Sequence, residues 1–280
     1  MPPEMKIYQR PAELLQNLIR FDTTNPPGNE AACIAYINEL FTKAGFQTNI
    51  LAKDQNRTNL IARLKGQGNA PPLLLYGHID VVTTAKQEWT YPPFEGKIID
   101  GYIWGRGALD MKGGVAMMLA ALMRAKAEGF TPAGDVVLTV VSDEETGGDY
   151  GAKFLAESHK EYFAGIRYAI GEFGAFTLYL GKKKFYPIQV AEKQTCWMKV
   201  TLRGAGGHSA FPVRDGALAK LGILLQKLKE HRLPVHVTPV VRQMINKMAA
   251  VLPLPMNSNL TKLLDPSLTD DVLEQLGLRG

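Results

Sequence analysis

Apolar positions at helical spacing open the chain: Leu14, Leu15, Leu18 and Ile19 share one face over residues 11–20, behind Pro11, whose fixed φ suits a first helical turn. TTNPPGNE at 23–30 reads as a turn-rich loop, and a second amphipathic helix is predicted from about 29 to 44, stopping near Gly45. Segments 47–52, 58–64 and 72–79 are rich in β-branched or apolar residues and read as strands. The last, within PLLLYGHID, reads as a buried central strand whose C-terminal end turns polar. A loop rich in Pro, Gly and aromatics follows over 83–107. Then come a helix over 112–128, a strand over 135–142, a helix over 148–158 and a strand over 167–172. Strands alternating with helices predict an α/β layer architecture.

Past about 190 the texture changes. TCWMKVTLRG at 195–204 alternates like a half-buried strand, an amphipathic helix is predicted over 215–230, and the Leu-, Pro- and Met-rich tail from 233 to 280 suits short helices. These patterns divide the chain into a domain over 1–190 and a second over 191–280.

In open α/β sheets, ligands bind beyond the carboxyl ends of the strands. Three strands here end in acid–base or metal-ligating residue types: His78 and Asp80, then Asp143, Glu144 and Glu145, then Glu172. His78 and Asp80, two apart on a strand, face the same way. Asp110 stands just before a helix start eased by Gly113 and Gly114. Zinc accepts imidazole nitrogen and carboxylate oxygen and, in catalytic sites, leaves a position for water. A dinuclear site adds a bridging carboxylate, a second carboxylate orients the ligand His, and a spare one moves protons. Each residue also has a plain reading: a hydrogen-bonded structural His, a helix N-cap at Asp110, a solvated Glu-Glu turn. Their coincidence at strand ends and one helix start favours a single site.

Charge and composition narrow the rest. The net charge of +5 is spread along the chain, and its single run, Lys182 to Lys184, reads as a solvated turn. No basic cluster with stacking aromatics appears, which argues against nucleic acid. Apolar runs are cut by Gly, Pro or charge before the ~20 residues a bilayer requires, and the first ten residues lack a signal pattern, so no membrane partner is expected and a cytoplasmic location is. Cys33 and Cys196 lie far apart without a CxxC partner and read as reduced.

GHIDVV, YIWGRGALDMKGGVA, SDEETGG and GGHSAFP together resemble the signature set of the zinc aminoacylase/carboxypeptidase family, which includes acetylornithine deacetylase, succinyl-diaminopimelate desuccinylase and several dipeptidases. The resemblance spans essentially the whole chain and is most specific over 74–151. It implies a mixed-sheet, zinc-exopeptidase-like catalytic domain interrupted by a smaller α+β lid and dimerisation domain, of which this chain holds part. It implies two zinc ions per active site, with cobalt or manganese as alternatives. Within it, His78 matches a ligand of the first zinc and Asp80 the carboxylate orienting it. Asp110 matches the bridging ligand, commonly followed by a cis peptide bond. Glu144 matches the general base, Glu145 a ligand of the second zinc, and Glu172 the residue completing the first. His208 matches a lid histidine that reaches a neighbouring subunit's active site to bind substrate, implying a homodimer.

The expected activity is hydrolysis of an amide bond in a small peptide or N-acyl amino acid. The family supplies a further His to the second zinc after the lid, and the sequence ends at Gly280 before such a segment. His159, read as solvent-facing, and His231 and His236 in the lid half do not stand in its context. An inactive truncated remnant, or half of a split enzyme acting through binding only, is therefore the alternative reading. A metal-dependent phosphoesterase is a weaker one, since Lys112 is the lone lysine by the metal motif and no Gly-Lys-Ser phosphate loop is present.

Overall fold

The computed structural model describes residues 6–172, 177–190, 192, 196–208, 210 and 214–276. Contacts divide the chain into two compact units, Met1–Phe173 and Gly174–Gly280. The hairpin that opens the second unit thus precedes the change of sequence texture near 190.

In the first unit, α1 (Pro11–Ile19) and α2 (Ala31–Lys43) precede a hairpin of β1 (Gln47–Asp54) and β2 (Arg57–Leu64). Then follow β3 (Leu73–His78), β4 (Lys97–Ile99), β5 (Tyr102–Trp104), α3 (Lys112–Ala127), β6 (Val136–Val141), α4 (Ala152–Ser158) and β7 (Tyr168–Ile170). Five strands form one sheet in the order β1-β2-β6-β3-β7. β1 and β2 pair antiparallel, as do β2 and β6, whereas β3 lies parallel to both β6 and β7. The sheet is mixed, as the resemblance implied.

Strand alternation sorts the core into two layers. Leu60, Ala62, Leu64, Leu138 and Val140 point to one face and pack with Leu14 and Leu18 of α1, Ile34, Ile37 and Phe41 of α2, and Val115 and Leu119 of α3. Ile61, Val137 and Val141 point the other way, where Leu155 of α4 covers them together with Tyr162, Phe163 and Ile166. The helix α3 approaches β3 so closely that a Cβ on Gly77 would stand 2.8 Å from Val115 Cγ2. Its first residue, Lys112, is fully buried, and its Nζ donates to the carbonyls of Leu18 (3.1 Å) and Phe21 (2.7 Å) at the end of α1. Those bonds account for its burial.

Several expectations need correction. The loop over 83–107 contains the β4–β5 hairpin, two three-residue strands pairing only with each other. The helix read over 148–158 begins only at Ala152, because Gly147 and Gly148 take positive φ and Gly151 folds its backbone against β6. His159 is half-buried, edge-on to Phe154 with ring centroids 5.0 Å apart, and does not face solvent freely.

In the second unit, β8 (Leu178–Leu180) and β9 (Lys183–Phe185) form a hairpin. Lys182 is in its turn, but Lys183 and Lys184 belong to β9 rather than to a turn. The helices α5 (Ala217–Glu230), α6 (Pro239–Ala249), α7 (Met256–Lys262) and α8 (Thr269–Gln275) follow, close to the pattern read from sequence. The predicted strand over 195–204 is not formed at 196–204, where Trp197, Met198 and Val200 are exposed. Alternation makes a strand only where a partner takes up its backbone donors and acceptors, and among the described residues these belong to no ladder. Thr195 lies outside the described residues. No described helix is long and apolar enough to cross a membrane.

Gly151 gives the fold its sharpest test. A Cβ there would fall 1.9 Å from the Ser142 carbonyl oxygen, which is main chain and cannot rotate away. Gly151→Ala is expected to lower unfolding free energy by about 2–3 kcal/mol in urea titration. A variant as stable as the parent would show that the turn has slack.

Candidate metal centre

The segment after β3 runs beside the loop 22–28. Asn25 N–H donates to Val81 O at 2.8 Å, Val81 N–H to Thr23 O at 3.1 Å, and Thr23 Oγ1 to Ile79 O at 2.5 Å. This clamp fixes the chain exactly where it leaves the sheet with His78 and Asp80, both fully buried.

The His78 ring is oriented from behind. Nδ1 lies 3.0 Å from the Asp80 main-chain oxygen and 3.4 Å from its Oδ1. Both are acceptors, so Nδ1 carries the proton and Nε2 faces the cleft. Around Nε2 gather Asp110 Oδ1 at 3.1 Å, Glu172 Oε2 at 3.6 Å and Glu144 Oε2 at 3.9 Å. Their carboxylates are half exposed, so the site is a buried imidazole floor under a rim of acids.

Asp80 fixes that rim. Its Oδ1 accepts the Glu144 N–H and its Oδ2 the Glu145 N–H, each at 3.0 Å, while Asn25 Nδ2 donates to Oδ2 at 2.8 Å. Two neighbouring glutamates are thereby tied by their main chain to the residue that orients His78. Behind them, Asp143 takes a left-handed conformation (φ 69°) and is buried. It accepts from Arg57 Nη2 (3.1 Å), Asn25 Nδ2 (3.2 Å), Tyr150 N–H (3.0 Å) and the Thr146 hydroxyl. Arg57 in turn makes a two-pronged pair with buried Glu30 at 2.8 and 3.0 Å. The peptide bond between Asp110 and Met111 is cis, as the resemblance implied.

Electrostatics set the titration of the centre. Burial pushes the Asp80 carboxyl up, but the hydrogen bonds from His78, Asn25 and the Glu145 N–H outweigh it and hold Asp80 below the usual range. Burial pushes His78 down, and its hydrogen bond to Asp80 with the charges of Asp80, Glu144 and Glu172 reverses this, raising it to about 9. Glu172 is raised to about 7 by burial and by Asp110 and Glu144, against the pull of His78. Glu145 is raised by burial and then by Asp110.

The donor set fits a divalent cation. His78, Asp110 and Glu172 each offer one ligand atom, all within 4.8 Å of one another. The nitrogen and carboxylate oxygens suit zinc and admit other divalent ions. Burial and, after it, the repulsion from Asp110 and Glu144 raise Glu172, and a cation would offset both.

Six of the seven site residues read from sequence thus come together at the C-terminal edge of the sheet: His78, Asp80, Asp110, Glu144, Glu145 and Glu172. His208 belongs to the second unit, where it is exposed and its Nδ1 accepts the Ala210 N–H at 3.2 Å. His231 and His236 belong there too. Cys33 is buried and Cys196 exposed, both as free thiols. The sequence reading missed Asn25, Glu30 and Arg57. Its one available signal was NPPG followed by an acid, taken as a loop.

This arrangement is a carboxylate–histidine cluster that could hold a metal ion, of the kind found in metallohydrolases. Residues 74–247 match the family model described as peptidase family M20/M25/M40, and the chain belongs to that family. It is 32% identical over 221 residues to succinyl-diaminopimelate desuccinylase of Wolbachia pipientis wMel, covering 78% of this chain and 54% of that one. It is 33% identical over 220 residues to the probable succinyl-diaminopimelate desuccinylase of Staphylococcus aureus strain MRSA252, covering 78% and 50%. The chain therefore spans about half the length of these curated relatives. Human carnosine dipeptidase 1 shares the fold, with a TM-score of 0.51 and 18% identity over 59% of this chain and 38% of that one.

Cation binding at this centre must displace protons. With His78 raised to about 9 and Glu172 to about 7, the metal-free site still holds protons at pH 6 that are progressively lost as the pH rises through 7 to 9. Zinc affinity, measured by chelator competition, is expected to rise at least tenfold from pH 6 to pH 8. An affinity independent of pH over that range would remove His78 and Glu172 from the ligand set.

Proposed function

We propose that this chain carries the metal-dependent amide-hydrolysing centre of its family, acting on a small peptide or N-acyl amino acid with a free carboxylate. The observation that carries the reading is the convergence of Asp110, Glu144 and Glu172 on one oriented imidazole nitrogen, within 3.9 Å. The relatives' name, which describes removal of a succinyl group from diaminopimelate, supports an amide between an acyl group and an amino acid.

In this reading His78, Asp110 and Glu172 would hold one cation, and Asp110 and Glu145 would contribute to a second. When bound, the metal supplies Lewis acidity to the scissile carbonyl and acidity to the attacking water. Zinc is the expected ion, with cobalt or manganese as alternatives. Asp80 keeps the His78 ring in the tautomer that presents Nε2, and its bonds to the main chain of 144 and 145 hold both glutamates in place. Glu144, at the cleft rim, takes a proton from the attacking water and returns it to the departing amine nitrogen.

His208 contributes substrate binding and stabilises the developing oxyanion from a partner subunit, which makes the working form a homodimer through the second domain. The second unit, Gly174–Gly280, serves as the lid and dimerisation part, and the first as the catalytic part. A cytoplasmic location accords with this chemistry.

The test separates binding from turnover. Glu144→Gln in an active form of the enzyme should reduce amide hydrolysis at least a thousandfold while zinc content by elemental analysis stays within a factor of two. Near-normal turnover would remove Glu144 from the proton-transfer role, and hydrolysis of phosphate esters in preference to N-acyl amino acids would overturn the reaction class.

A further inference from the structure

The residue that joins the two buried networks of this site is not one of the acids but Asn25, in the loop before α2. Its Nδ2 stands 2.8 Å from Asp80 Oδ2, 2.9 Å from Thr146 Oγ1 and 3.2 Å from Asp143 Oδ1. An amide nitrogen has two hydrogens. They reach the carboxylate that orients His78 and the hydroxyl that bonds Asp143, the acid anchored by Arg57 and Glu30. The side chain is itself almost completely buried, at 3% exposure, and its main chain is fixed by the Val81 bond.

Asn25 therefore lies between two carboxylates that would otherwise repel each other in a dry setting. An amide there satisfies both without a charge, whereas a carboxylate would repel both. Gly28 leaves the space that completes the arrangement: a Cβ on it would fall 2.2 Å from the Arg57 guanidinium carbon, so Arg57 reaches Glu30 and Asp143 only across a bare backbone.

We propose that Asn25 is a positioning residue for the metal centre: by bridging Asp80 to Asp143 and Thr146, it sets the orientation of the Asp80 carboxylate and, through it, the geometry of His78, Glu144 and Glu145. The proposal rests on the metal-centre reading and goes beyond it. Asn25 touches neither substrate nor ion and acts through Asp80.

Charge and position predict opposite signs for one substitution. Asn25→Asp adds a negative charge close to a cation site, which by Coulomb attraction alone would tighten binding. If Asn25 works by donating hydrogen bonds, the same change sets a third carboxyl against Asp80 and Asp143, leaves at most one shared proton in place of two N–H donors, and weakens binding.

The experiment titrates the full metal-free chain with Zn2+ by calorimetry. The Co2+ form, followed by its visible d–d absorption, reports ligand geometry directly. The thermal midpoint of each metal-free variant separates loss of fold from loss of geometry. Asn25→Asp and Asn25→Ala are each expected to weaken zinc binding about tenfold or more and to change the cobalt band, as removal of partners that orient metal ligands commonly does. Thr146→Val, at an exposed and easily accommodated position, should move both readouts in the same direction by a few-fold, and it carries the test should either Asn25 variant fail to fold.

Zinc affinity and cobalt spectra unchanged in the folded variants would overturn the proposal, leaving the metal centre standing. Tighter binding by Asn25→Asp would overturn it in favour of simple electrostatics. A parent chain that binds neither Zn2+ nor Co2+ would overturn the metal centre itself, and this role with it.

Discussion

A carboxylate withdrawn from water must have its oxygens satisfied by donors fixed in the fold, and Asp80 meets that demand with the main chain of its neighbours. Each of its oxygens accepts one N–H of the turn that bears Glu144 and Glu145, and a third donor comes from Asn25. Hydrogen bonds to a charged group contribute about 1.5–3 kcal/mol each, and leaving such a group unpaired costs more than that. The acidic turn is thus held by the residue that also orients His78. Two parts of the site that are distant in sequence share one anchor, so neither can shift independently.

The sheet makes that anchor possible. Because β3 and β6 run parallel as neighbours, with His78 in register with Val141, their C-terminal ends deliver His78, Asp80 and the 143–145 turn to the same edge. β7 on the other flank of β3 brings the chain toward Glu172. α3 carries Asp110 to the same place from the opposite layer, and the bonds of Lys112 to the end of α1 fix its start. Behind the site, Glu30, Arg57 and Asp143 form a buried charged chain. Such groups add little net stability compared with apolar packing. Their value here is in fixing direction, since every member has a fixed partner and the left-handed turn at Asp143 is held by four donors.

The layer architecture and the metal cluster were legible in the sequence because both depend on local pattern. A run such as VVLTVV announces a buried strand by length and branching, whereas LLLYGH, read as buried, is only partly so over Leu73–Tyr76. Acids and a His at the strand ends announce a site by chemistry. What was illegible depends on partners remote in sequence. Alternation at 195–204 describes a strand in need of a neighbour, and no ladder includes 196–204. The β4–β5 hairpin consists of strands of three residues, too short for any periodicity to register. Asn25, Glu30 and Arg57 carry no motif of their own. Their meaning arises only when the loop 22–28 is laid beside 79–81 and β2 beside β6, contacts separated by 27 to 118 residues in the chain.

The same separation of tasks bears on how the site meets its ion. In many small metal proteins the ligands assemble only when the metal arrives, and binding and folding are one event. Here Asp110 approaches both His78 and Glu172, but the orienting contacts are otherwise made by Asp80, Asn25 and Asp143 with the main chain. The ligand acids are left half exposed at the rim, where burial first and mutual repulsion second raise Glu172 and Glu145 rather than displacing the turn. Repulsion absorbed as a bound proton costs less than repulsion absorbed as a broken fold, since protons are exchanged with water at every pH near neutrality. A site built in this way is organised before the cation binds, and the proton held among His78 and the acids occupies the place of the positive charge to come.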